Sequence, residues 1–156
     1  MKAVIAIDPG KKTGLALFTY DGQSDPVLVL AKEADQMAMA GEIESMIETA
    51  RSLQPVSEIE VVYERFIINA QTVRNSQAPY SLEQIGILKY VCHVNGIHPD
   101  KIFIQSPSDA KKMFSNVALR KLGYWFSGGE GHAMDAIRHG LLRLVKTGWP
   151  PKRLFQ

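Results

Sequence analysis

Four side chains in this sequence could do chemistry together: Asp8, Glu64, His132 and Asp135. Asp8 ends a continuous apolar run, Ala3 to Ile7, and is followed by Pro9-Gly10, Lys11-Lys12 and Thr13-Gly14 before a second apolar run begins. That order predicts a strand, a carboxylate, a tight turn and a return strand. Glu64 closes another strand, Ile59 to Glu64, in which Ile59, Val61 and Tyr63 alternate with Glu60, Val62 and Glu64. A carboxylate ending a buried strand is costly unless it is paired or holds a cation, although an Asp before Pro-Gly can also simply cap its own turn. His132 and Asp135 stand three apart, so on a helix they point the same way. Taken alone, such a pair reads as a solvated helix face or a salt bridge. Three carboxylates and an imidazole at one sheet edge are more than protein cations are expected to satisfy, and they ask for divalent metal. Oxygen-rich ligand sets suit Mg²⁺ or Mn²⁺. Two such ions, about 4 Å apart, activate a water and stabilise a leaving 3′ oxygen in phosphodiester hydrolysis.

The elements that must position these groups follow from periodicity. The hairpin from Lys2 to Phe18 is followed by a turn-rich stretch, Tyr20 to Pro26, and a third apolar run, Val27 to Ala31, which predicts an antiparallel meander. From Asp35 the period becomes helical, with Met39, Ile43, Met46, Ile47, Ala50 and Leu53 on one face, until Pro55. A helix between strands three and four favours a parallel return, which lays strand four beside strand one and Glu64 beside Asp8. Residues 65–80 are polar and irregular. Ser81 with Gln84 makes a capping-box pattern and opens a helix, 81–95, apolar nearly all round, so that either the core encloses it or it forms a subunit interface. Lys101 to Gln105 is a fifth strand, and Ser106-Pro107 starts a short helix. Residues 115–131 show no readable period. In the last helix, from about Gly131 to Lys146, His132, Asp135, His139, Arg143 and Lys146 share one face, and Ala133, Ile137, Gly140, Leu141 and Leu144 the other. Glu130 suits the positive end of that helix. The order β-β-β-α-β-α-β-α-α predicts an α/β fold with a mixed five-stranded sheet in one domain, 1–148, and an irregular tail, 149–156.

Composition agrees with an ordinary globular domain: 156 residues, 46% hydrophobic and 22% charged. No apolar run approaches a membrane span and the N-terminus lacks a signal-peptide layout, so a cytoplasmic protein with no membrane partner is expected. The lone cysteine, Cys92, lies in an apolar helical pattern and reads as a buried, inert thiol. Charge is polarised: residues 1–100 hold 8 Lys/Arg and 13 Asp/Glu, a net −5, whereas residues 101–156 hold 10 and 3, a net +7. A polyanion approaching one side would account for this, as would chance clustering on a solvated surface.

The runs IDPGKKTGLALF, VVYERF, SPSDAKK and GHAMDAIRHGLL, in this order, resemble the RuvC-type Holliday junction resolvases of the ribonuclease H-like superfamily. The short, divergent chain looks more like a phage or prophage member, and the resemblance spans residues 1–114 and 130–145. It implies a ribonuclease H-like fold and a metal-dependent endodeoxyribonuclease that resolves four-way junctions by paired symmetric nicks. Asp8, Glu64 and Asp135 would be metal-binding carboxylates, and His132 matches a position that is Asp in some relatives and His in others. Lys111 and Lys112 match a basic pair that contacts junction DNA near the scissile phosphate. The segment after Glu64 matches a loop that probes the junction centre with an aromatic. Here Phe66 lies two residues after the Glu rather than three, where Ile67 stands. In place of the family's Gly-rich basic connection, residues 115–129 keep Arg120 and Lys121 as basic residues. The family cuts as a homodimer, and helix 81–95 is a candidate part of that interface.

An acidic site repels DNA, so cations must surround it. Lys11, Lys12, Arg65, Lys111, Lys112, Arg120, Lys121, Arg138 and Arg143 are the candidates for phosphate contact. Two other readings stay open: a broader flap or fork nuclease with the same chemistry, and a protein that binds junctions without cutting them. An actin-like phosphate-binding ATPase or sugar kinase, whose first motif also reads as Asp, Gly and Thr-Gly in a hairpin, is disfavoured, since that class needs two such lobes and a second Asp-Gly phosphate loop and this sequence has neither.

Overall fold

The computed structural model describes residues 1–68, 78–126 and 131–154. The centre of the fold is β1 (Lys2–Asp8), whose residues from Ala3 to Ile7 are wholly buried. A strand covered on both faces reads as a continuous apolar run, as this one does. β2 (Lys12–Tyr20) and β3 (Val27–Asp35) follow as antiparallel neighbours, while β4 (Glu58–Glu64) and β5 (Ile102–Gln105) add in parallel on the other side of β1. The sheet order is β3-β2-β1-β4-β5. The predicted meander and parallel return are both present.

Each face of the sheet has its own core. Ala3, Ile5, Ile7, Leu15, Leu17, Val61 and Tyr63 meet α1 (Met39–Ser52) and α2 (Ala78–Val94). Val4, Ala6, Ala16, Phe18 and Val62 meet α5 (His132–Lys146), backed by α3 (Pro107–Met113) and α4 (Asn116–Leu122). Two glycines let α5 lie close. A Cβ on Gly140 would stand 2.5 Å from the Phe18 ring, and one on Gly14 only 1.8 Å from the His132 carbonyl oxygen.

Two expectations are corrected. α2 begins at Ala78, so Ser81 lies inside the helix and donates to the Pro9 carbonyl (3.2 Å) instead of capping, and Gln84 is fully buried. The unreadable stretch holds a helix, α4, capped by the Ser115 hydroxyl on Ala118 N–H (3.3 Å) and ended by Gly123 at φ 83°. Those are standard start and stop residues; a seven-residue helix is simply too short to display a period. In the tail, Trp149 is buried, stacks on Phe114 (6.3 Å between centroids) and donates to Asp25 (3.3 Å), ahead of a 3₁₀ turn over Lys152–Leu154. α2 is not enclosed. Leu88, Val91 and Cys92 are buried while Leu82, Tyr90 and Val94 are exposed. Burial lifts the Cys92 thiol to about 11, which keeps it protonated and unreactive. Among the described residues no helix is long and apolar enough to cross a membrane.

Candidate active site

Strand parity decides where the acids point. Successive side chains alternate between faces; Val4 and Ala6 pack under α5, and Asp8 continues their side. On β4 the same side carries Glu60, Val62 and Glu64. The parallel registers set Ile7 opposite Tyr63 and Glu64 opposite Gln105. Asp8, Glu64 and Gln105 therefore close three adjacent parallel strands on the face that α5 covers.

Helix α5 supplies a partner to each acid. His132 Nδ1 lies 2.7 Å from Asp8 Oδ2, and one heptad later His139 Nε2 lies 2.8 Å from Glu64 Oε2. Between them Asp135 receives Arg138 (2.5 Å) and Lys111 of α3 (3.0 Å). The helix start is itself held from β3: Glu33 Oε1 accepts the His132 backbone N–H at 3.0 Å, where Gly131 has no side chain to cap with.

The cluster is electrostatically strained toward positive partners. Asp8 is 6% exposed, and burial pushes its carboxyl above the ordinary range; the His132 hydrogen bond opposes this, while Glu64 and Asp135 add to it. The Asp8 bond raises His132 above the usual imidazole value against the effect of burial, with Glu33 and Asp135 contributing. Burial works against the charge on Lys111, but the hydrogen bond to Asp135 and the charges of Asp135, Glu64 and Asp8 outweigh it and raise its pKa. Each acid has a protein partner, but only Asp135 is held by Arg and Lys, whereas Asp8 and Glu64 face histidines. Among the described residues no three His, Cys, Asp or Glu side chains form a ready-made metal cage.

The other predicted contacts divide into those at the cluster and those elsewhere. Lys11 and Lys12 are exposed at the hairpin tip and line, with Asp35, Gln36, Met37 and His132, an open cleft of about 510 Å³. Arg65 is exposed just beyond Glu64, Phe66 is half-buried and Ile67 is exposed; the remainder of that loop, from 69 to 77, lies outside the described residues, as does Glu130. Lys111 joins the cluster, and Lys112 is exposed beside it. Arg120 stacks over the Trp125 ring (4.4 Å) and Lys121 reaches the Leu154 carbonyl (3.4 Å), both away from the acids.

Two assignments change. Arg138 is 9% exposed and bonds Asp135, the Phe114 carbonyl (2.9 Å) and Asn116. Arg143 bonds Glu60 (2.7 Å) and stacks on Phe103. Neither is available to phosphate, because α3, α4 and the β4–β5 edge cover a helix face that looked solvated. His139, Gln105 and Glu33 received no role from the sequence. His139 could have been found: it falls four and seven residues after Asp135 and His132, on one stripe.

No protein-family model and no curated protein matches this sequence. Among solved structures, RuvC of T. thermophilus in complex with Holliday junction substrate matches with a TM-score of 0.71 and 16% identity, over 93% of this chain and 94% of that one. T. thermophilus RuvC on its own matches with a TM-score of 0.66 and 17% identity, over 94% and 96%. The chain has the RuvC fold. In that fold the resemblance read from IDPGKKTGLALF and GHAMDAIRHGLL acquires a three-dimensional counterpart, since those runs form the β1–β2 hairpin and α5, which meet at Asp8 and His132.

Proposed function

We propose that this chain is a metal-dependent endodeoxyribonuclease, of the crossover-junction type, that resolves four-way DNA junctions by paired symmetric nicks. The observation that carries the reading is the convergence of Asp8, Glu64 and Asp135, with His132, at the carboxyl ends of β1 and β4 beneath the start of α5. The likeness of fold to a RuvC held on a junction supports the substrate. The donor set fits Mg²⁺ or Mn²⁺: hard carboxylate oxygens and one imidazole, in a place where burial and mutual repulsion already raise Asp8. Asp8, Glu64, His132 and Asp135 would hold two such ions, which supply water activation and stabilisation of the leaving oxygen.

The chain's own residues perform the rest. Glu64 is oriented by His139 through Oε2, and Asp135 is held at Oδ1 by Arg138 and at Oδ2 by Lys111. Lys111 stands at the cluster with an ammonium that can pass from Asp135 to a substrate phosphate. Lys11 and Lys12 flank the cleft beside His132 and would seat the backbone on either side of the scissile bond. The exposed ridge of α2 (Leu82, Tyr90, Val94) supports a homodimer, which two symmetric nicks require. A phage or prophage source is part of the proposal and rests on the sequence's divergence, 16–17% identity to the RuvC structures it matches.

The test is cleavage of a labelled immobile four-way junction, beside a matched flap and a plain duplex, with Mg²⁺, Mn²⁺ or EDTA. Paired symmetric nicks in the junction alone, with Mn²⁺ at least as effective as Mg²⁺ because imidazole is the softer ligand, are expected. Equal cutting of the flap would make the protein a general branched-DNA nuclease. Metal-dependent cutting of nothing would leave at most a junction-binding protein.

A further inference from the structure

We infer that His139 and Gln105 form a buried positioning relay that fixes the orientation of Glu64 through one of its two carboxylate oxygens. This rests on the proposed metal site and names two residues that the site's chemistry does not itself require.

The geometry leaves little freedom. His139 is 1% exposed and Gln105 4%, so neither can meet substrate or solvent. The Gln105 amide is set by three neighbours. With its nitrogen toward His139 it donates to Nδ1 (2.9 Å) and to the His139 carbonyl (3.3 Å), while its oxygen accepts the Arg143 backbone N–H (3.3 Å). Reversed, the oxygen would face the His139 carbonyl and the nitrogen the Arg143 N–H, like against like. The satisfied orientation makes Nδ1 an acceptor. The ring is then neutral and carries its proton on Nε2, which donates to Glu64 Oε2 at 2.8 Å.

A neutral donor fixes Glu64 without cancelling its charge. Oε2 is bound by the relay, which leaves Oε1 as the oxygen a divalent ion would take. Asp135 is treated differently: its partners are two cations, Arg138 and Lys111. The relay also ties three elements together at one point, since Gln105 ends β5, Glu64 ends β4 and His139 sits in the middle of α5. Hydrogen-bonded supports of this kind typically govern metal affinity or activity by 10–100-fold.

Nitrogen-15 NMR of the metal-free protein is the first arm. The His139 ring should be neutral with its proton on Nε2; a proton on Nδ1 overturns the relay whatever the metal does. The second arm is Mn²⁺ titration by calorimetry on the wild type, His139→Leu, Gln105→Glu and Gln105→Met. Gln105→Glu replaces the donor by an acceptor and draws a proton onto Nδ1, so Mn²⁺ affinity should fall about 10–100-fold. Because a buried acid can cost stability, Gln105→Met removes the donor without adding charge and should give a smaller fall in the same direction. Junction cleavage by these variants should lose kcat with KM little changed. Mn²⁺ binding unaltered in all three variants, with only melting temperatures lowered, would reduce His139 and Gln105 to packing. If the wild type binds no Mn²⁺ at all, the metal reading fails, and the NMR arm alone decides the relay.

Discussion

Asp8 is held in the fold against its own preference for water. Its carboxyl is raised, first by burial, so its ionisation is less favourable in the folded chain than in the unfolded one. A folded pKa above the unfolded value means that stability is lost as pH rises through it. Asp8→Asn should therefore abolish cleavage while leaving the metal-free protein as stable as the wild type or more so, with junction binding kept or improved. Activity assays, thermal melts and gel-shift titrations on one preparation check all three, and loss of binding together with activity would contradict the assignment. The same substitution should return the His132 imidazole toward its ordinary value, since the Asp8 bond is the largest cause of its rise; a proton NMR titration reads this directly. His132 and Asp135 were legible at this scale from their three-residue spacing. Arg138 and Arg143 were misread as surface cations, because nothing in their spacing says that other helices and the sheet edge cover them.

At the scale of elements, α5 is the part that must be placed accurately, and its placement depends on residues with no chemistry. A Cβ on Gly14 would lie 1.8 Å from the His132 carbonyl oxygen and 2.1 Å from its carbon, and backbone cannot swing aside as a side chain can. Gly14→Ala should push the start of α5 off β2, cost about 1–3 kcal/mol or more, and remove most cleavage by displacing His132 from Asp8. Gly140→Ala, which meets the Phe18 ring mid-helix, should lower stability with a smaller loss of cleavage. Urea unfolding and junction assays on the pair separate the two effects; equal loss of activity in both would mean that α5 is positioned as a rigid whole. The Thr13-Gly14 pair was legible as part of a hairpin, but the reason for its glycine lies 118 residues away in the chain.

For the whole molecule, two properties follow from what α2 exposes and what α5 buries. Leu82, Tyr90 and Val94 form an exposed apolar ridge along α2, passing over Gly86. Tyr90→Glu should convert a dimer into a monomer by sedimentation and reduce paired nicking to single nicks, with the fold intact. Unchanged sedimentation would move the interface elsewhere. Beneath α5, Glu60 is buried between Lys2 (2.8 Å) and Arg143 (2.7 Å). Burial alone would raise it, but the bonds from Arg143 and Lys2 prevail and its pKa is lowered. Its contribution to stability is complete above the ordinary carboxylate range and is lost as pH falls through the lowered folded value. Denaturant unfolding from pH 7 to pH 3 should show that acid loss, and Glu60→Gln should flatten it. Asp8 acts with the opposite sign and above the ordinary carboxylate range instead of below it, so the double variant separates the two.

The sequence by itself determined the antiparallel meander, the parallel return that lays β4 beside β1, and which acidic and imidazole groups were candidates for one site. Those depend on local signals: apolar runs that end on a carboxylate, a change of period from two to 3.6, and spacing along one helix. Only the tertiary structure decided who faces whom. That Asp8 meets His132, that Glu64 meets His139, that His139 meets Gln105, and that Arg138 and Arg143 are covered all require strand parity, register and the seating of α5 to act at once on residues distant in the chain, 124 apart for the first pair, 75 for the second and 34 for the third. Pairings between distant residues leave no periodic trace, because each partner's local pattern is satisfied equally well by solvent.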